Sequence, residues 1–168
     1  MVEGHEERNE ESSRHEDVID IKKLPKNIKI IGSKWVYKIK TDENGQIVRF
    51  KARLVARGDK QTEGVDYNET FAPVLRAESL RYLISYAFEN NLVLLHLDVE
   101  CAFLNGDLEN DEAIYMRLPE GYDERDTKIA KLKKAIYGTR QASRCWNKKF
   151  LESLKKEGFI QSKIRACL

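Results

Sequence analysis

No stretch of this sequence stays apolar and uncharged for the roughly 18 residues that a membrane crossing requires, so nothing in it reads as a transmembrane helix. Its first residues lack a basic region followed by an apolar run, and no secretory leader is expected. Cysteine is scarce: Cys101, Cys145 and Cys167 are odd in number and far apart, which excludes a disulfide framework. No CxxC or clustered His/Cys spacing points to zinc. The thiols are therefore expected to be reduced, in an intracellular protein, with structural or incidental roles.

What is present is charge, and it is segregated. The 168 residues are 41% hydrophobic and 35% charged, enough for one domain or a part of a larger one. Residues 1–17 hold seven acids and two bases, and with no apolar periodicity they read as a disordered acidic tail. His5 and His15 lie there without ligand-like company. Residues 34–60 carry eight bases against three acids, residues 61–127 fifteen acids against four bases, and residues 128–168 twelve bases against two acids. Basic segments suit a polyanion and an acidic middle suits a cation. Solvated faces are the plain alternative.

Periodicity places the elements within an ordered region over 18–168. "SKWVYKIK-TDENGQ-IVRFKARLVARG" reads as a β-hairpin, with Asn44 and Gly45 supplying the reversal. On the return strand Val48, Phe50, Ala52, Leu54 and Ala56 share one face, and Arg49, Lys51, Arg53 and Arg57 the other. That cationic face is either a solubilising surface or a platform for phosphates. Leu80, Leu83, Ile84, Ala87 and Phe88 recur at helical spacing, closed by "ENN". "LVLLHLDV" is an apolar run of strand length, expected as a central strand covered on both faces, with His96 a core or edge histidine. Ala142, Cys145, Trp146, Phe150 and Leu154 give an amphipathic helix with Gly158 as its C-cap.

Asp98 stands directly after the apolar run, a place where metal ligands occur in mixed α/β folds. Glu100 could share its face, but Asp107 lies beyond Gly106, so the local sequence offers one firm ligand and not the set that two magnesium ions need.

Taken in order, "KWVYKIK…FKARLVARG…DYNETFAPV…LDVECAFLNG…IYMRLPEGY…KLKKAIYGTRQASRCW" closely resembles the reverse transcriptase of copia-type long-terminal-repeat retrotransposons, over about residues 20–167. The resemblance implies an α+β fold: the fingers and part of the palm of a right-hand polymerase, an antiparallel sheet with packed helices and a protruding β-hairpin. It implies that Lys40, Lys51 and Arg53 are the candidates for gripping the triphosphate of an incoming nucleotide. Asp98, assisted by the Val99 carbonyl, would be the catalytic magnesium ligand. Phe103 matches the aromatic beneath the nucleotide sugar, which selects deoxynucleotides. Gln141 would touch nucleotide or template, and Arg57, Arg140 and Arg144 the nucleic-acid backbone. Implied partners are an RNA or DNA primer–template, deoxynucleotide triphosphates, and the rest of a Pol polyprotein. The implied location is the cytoplasm, in virus-like particles, or the nucleus.

The chain departs from the family pattern at Thr139 and Ser143, where Leu and Pro are common. It also contains no Asp-Asp pair, the family's second palm motif. "IQSKIRACL" ends on apolar residues without capping chemistry and reads as cut. The expectation is thus a fragment without polymerase activity of its own. The rival readings are a nucleic-acid-binding remnant and an inert remnant that does not fold.

Overall fold

The structure, a computed structural model, describes residues 19–22, 28–109, 112–119 and 129–162. The acidic tail expected over 1–17, Cys167 and the last residues lie outside that set.

A four-stranded sheet is built from β1 (Ile19–Lys22), β2 (Ile30–Ile31), β5 (Tyr115–Arg117) and β6 (Ile129–Leu132), in the order β1-β6-β5-β2. β1 and β5 run antiparallel to β6, whereas the two-residue β2 pairs parallel with β5. The sheet is therefore mixed where a wholly antiparallel one was expected. The second sheet is the hairpin of β3 (Ser33–Thr41) and β4 (Ile47–Ala56). Its turn follows from residue chemistry. The Asp42 carboxylate accepts from the backbone N–H groups of Asn44 (2.9 Å) and Gln46 (2.8 Å), and Gly45 takes the left-handed φ of 79° that closes the reversal.

The two helices lie where periodicity put them. α1 spans Ala77–Glu89, and the Asn90 side chain donates back to the Tyr86 carbonyl at 2.8 Å. α2 spans Ala142–Lys156 and ends at Gly158, with Gly158 N–H donating to Lys155 O and Phe159 N–H to Leu154 O. Trp146 and Phe150 stack along α2 at 5.5 Å.

The core gathers Ile31, Leu54, Ala56, Ile114, Met116, Leu118, Ala130, Leu132 and Ile136, joining the four-stranded sheet to the root of the hairpin. A second cluster, Ala135, Ala142 and Cys145, seats α2, with Phe103 and Leu108 packed on it. Burial pushes the Cys145 thiol up to about 11, and the nearby Glu112 carboxylate acts in the same direction, so this cysteine stays a protonated, inert filler.

One expectation about burial fails. Residues 92–99 form no strand, and Leu95 is 83% and Leu97 84% exposed, with His96 exposed between them. A strand requires a neighbour for its N–H and C=O groups, and no described strand runs beside this segment. The apolar stripe of α1 is helical and likewise uncovered: only Ser79 and Ala87 are buried, and Phe88 is 83% exposed.

With Gly58, Gly138 is one of the two tightest glycines of the described residues. Its φ is 92°, and a Cβ there would stand 2.2 Å from the Ala56 carbonyl oxygen, whereas Gly45, also left-handed, has open space. Gly45→Ala is expected to cost only the backbone strain, about 1–2 kcal/mol. Gly138→Ala adds a collision of a further ~1–3 kcal/mol or a displaced hairpin. Chemical denaturation of the two variants reads the difference, and equal losses would contradict the close approach.

Candidate functional site

The register of the hairpin decides which cations share a face. Lys38 stands opposite Lys51, Lys40 opposite Arg49, and Val36 opposite Arg53, while Trp35, Tyr37 and Ile39 face Leu54, Ala52 and Phe50. The alternation seen on β4 is thus doubled by β3, and with Lys34, opposite Val55, six cations line one side of the ribbon. Like charges directly opposite each other destabilise a strand pair. No ion pair to Lys40, Lys51 or Arg53 occurs among the described residues.

At its root the hairpin is fastened to residues 136–141. Ala56 N–H donates to the Tyr137 carbonyl at 2.8 Å, and Gly58 lies close against the Gly138 carbonyl. The side chain of Arg53 reaches the same segment, with its guanidinium carbon 5.5 Å from the centre of the Tyr137 ring. The other neighbour of that ring is Phe103, edge-to-face at 4.9 Å. Phe103 belongs to a 3₁₀ turn, Ala102–Asn105, entered through Cys101 at a left-handed φ of 50°. A non-glycine residue held there marks local strain, two residues before Phe103 and three after Asp98. Asp98 and Val99 sit exposed in the irregular segment leading to it.

The remaining site residues named from the sequence are placed differently. Gln141 has no exposed surface. Its amide nitrogen donates to Glu112 Oε2 and to the Asp66 carbonyl, both at 3.1 Å, and its oxygen accepts from Gln61 at 3.1 Å. A side chain so enclosed does not touch template or nucleotide in this conformation. Arg140 stays exposed but is tied to the same junction: its Nε donates to the Gly58 carbonyl at 3.1 Å and its backbone N–H to Gln61 Oε1 at 2.7 Å. Arg144 pairs with Glu109 at 2.8 Å and Glu69 at 3.3 Å. Arg57 is gripped by Asp59 at 2.9 Å, a surface pair that a stronger anion could displace. Sequence reasoning missed Gln61, Asp66 and Glu112, whose burial depends on contacts across about 30–80 residues that no local pattern announces, and it missed Tyr137, although that ring opens the quoted "YGTRQ" motif.

Among the described residues no three His, Cys, Asp or Glu side chains come together. A magnesium ion wants about six oxygen ligands, and one exposed carboxylate with a neighbouring carbonyl does not by itself fit a two-ion site.

The family model described as "Reverse transcriptase (RNA-dependent DNA polymerase)" matches residues 16–168. Among curated proteins, the chain is 39% identical over 160 residues to the retrovirus-related Pol polyprotein from transposon TNT 1-94 of Nicotiana tabacum, covering 94% of this chain and 12% of that protein. The corresponding polyprotein from transposon RE1 of Arabidopsis thaliana is 39% identical over 140 residues, covering 82% of this chain and 9% of the relative. The transposon Ty1-ER2 Gag-Pol polyprotein of Saccharomyces cerevisiae is 29% identical over 123 residues, 70% of this chain and 6% of the relative. The chain therefore spans only a small part of the relatives it matches. No solved structure matches it.

The anchor of α2 titrates. Arg144 and then Lys148 hold the Glu109 carboxyl below the usual glutamate range, although partial burial opposes them. A depressed carboxylate stabilises the fold fully above its unfolded value and loses that contribution as pH falls through the folded one. The stability difference between the wild-type chain and Glu109→Gln is therefore expected to hold at neutral pH and to shrink below about pH 4.3. Thermal midpoints across pH 3–7 check it, and a difference that grows on acidification would reverse the sign.

Proposed function

This chain belongs to the reverse transcriptase family, in the branch carried by copia-type retrotransposon Pol polyproteins, and from that premise we propose that it forms the fingers and the first part of the palm of an RNA- and DNA-templated DNA polymerase. In the complete protein a primer 3′-hydroxyl attacks the α-phosphate of a deoxynucleotide triphosphate. The family generally uses a divalent metal, and magnesium is the ion this reading expects. Asp98 and Val99 would contribute ligands to it, with further carboxylates coming from elsewhere in a longer polyprotein.

The observation that carries the reading is the pair of like-charged cross-strand neighbours, Lys38 with Lys51 and Lys40 with Arg49, on one face of the hairpin. Such pairing costs stability, and a polyanion laid across it removes the cost. Lys40, Lys51 and Arg53 then bind and orient the triphosphate, and Phe103 meets the sugar and disfavours a 2′-hydroxyl. Gln141 from inside and Arg140 from the surface hold the hairpin root. The nucleic-acid contact assigned to Arg144 requires it to exchange Glu69 and Glu109 for phosphate, and Arg57 must likewise exchange Asp59. The exposed apolar surface of α1 and residues 92–99 fits a domain that meets other parts of a polyprotein.

Fluorescence anisotropy with a labelled primer–template tests this. Affinity is expected to fall steeply between 50 and 200 mM salt, and Lys51→Ala to lower the slope of log K against log salt by about 1, as loss of one phosphate contact does. Salt-independent binding would remove the phosphate platform. In primer extension the chain alone is expected to incorporate no nucleotide. Magnesium-dependent incorporation abolished by Asp98→Ala would overturn the need for outside carboxylates.

A further inference from the structure

We propose that Tyr137 is a positioning residue that sets the triphosphate-gripping cation and the sugar-facing aromatic relative to each other. The inference rests on the nucleotide-binding reading above and extends it to a residue outside the set named from the sequence. Three contacts meet at this residue. Its backbone carbonyl accepts from Ala56 at the end of β4 (2.8 Å), one face of its ring carries the Arg53 guanidinium (5.5 Å), and the ring meets Phe103 edge-to-face (4.9 Å, 64° between planes).

The chemistry of the partner matters. Arg57, Arg144 and Lys149 are each held by a carboxylate, which satisfies their charge. Arg53 makes no ion pair among the described residues and is held by a ring instead. A π face restrains a guanidinium without neutralising it and leaves its in-plane N–H donors directed outward. That is the requirement for a cation that must be ordered before a phosphate arrives and still hold its full charge. Because Phe103 leans on the same ring, movement of Tyr137 alters the distance between the phosphate end and the sugar end of the site. The hinge below is stiff: the next residue, Gly138, lies against Ala56, so the ring cannot shift without carrying the hairpin root with it.

The full chain, dATP, ATP and inorganic tripolyphosphate suffice for the test, with dissociation constants from equilibrium titration. Tyr137→Phe keeps the ring and is expected to stay within about twofold of wild type, whereas Tyr137→Leu weakens tripolyphosphate and dATP binding about fivefold, the scale of one cation–π contact. Tyr137→Leu is also expected to reduce the preference for dATP over ATP. In an Arg53→Met background, Tyr137→Leu is expected to have no further effect on tripolyphosphate. A merely structural role would make the two substitutions additive and leave the sugar preference unmoved, and either result overturns the proposal. If the wild-type chain binds neither dATP nor tripolyphosphate, the nucleotide-binding reading itself fails. Binding that ignores Tyr137 sinks only this inference. Should Tyr137→Leu not fold, the Arg53 Nε proton of the wild-type chain decides: an upfield ring-current shift supports the contact, and an ordinary position refutes it.

Discussion

The close approach of the segment 136–141 to the root of the hairpin is the constraint on which the other features depend. A backbone hydrogen bond from Ala56 to Tyr137, a glycine with no room for a side chain at 138, and the Gln61–Gln141 amide pair close the same junction from three sides. Two antiparallel strands projecting into solvent have little apolar contact of their own to direct them. Their direction comes from this junction and from Leu54 and Ala56, which enter the main core while the outer part of β4 stays exposed.

Below the junction the fold holds a buried polar network where an apolar filling would be simpler. Gln141, Gln61, Glu112 and Asp66 are all enclosed, and each is bonded to backbone or to another member. An interior amide left unpaired costs about 1–3 kcal/mol, so the arrangement tolerates little displacement. Direction-dependent bonds fix one geometry, which apolar packing of equal volume would not. The site residues above it inherit that order: Arg53 through the Tyr137 ring, and Phe103 through the same ring and the second core cluster.

Much of this molecule was legible one residue at a time. The Asp-Glu-Asn-Gly turn, the helical stripes of α1 and α2 and the Gly158 terminus are short-range phenomena, decided by φ preference and by spacing of 2 or 3.6 residues. The apolar run at 92–99 looked equally clear and did not become a strand, because a strand is a relation between two segments and its partner is not among the described residues. The burial of Gln141 was hidden for the converse reason. A polar side chain in a motif reads as outward-facing, and only the donor brought by Gln61 and the acceptors brought by Asp66 and Glu112 turn it inward.

The sequence by itself determined the family, the position of Asp98 beside its apolar run, the alternation that segregates cations on β4, and the ends of both helices, since each of these is a matter of residue type at fixed local spacing. Only the tertiary structure decided that Lys38 and Lys40 join the cations of β4 on one face, that Arg53 and Phe103 share a single tyrosine ring, and that Gln141 is internal. Those facts depend on cross-strand register and on contacts between residues about 30–80 positions apart, where the physical cause is mutual packing and no local preference records it.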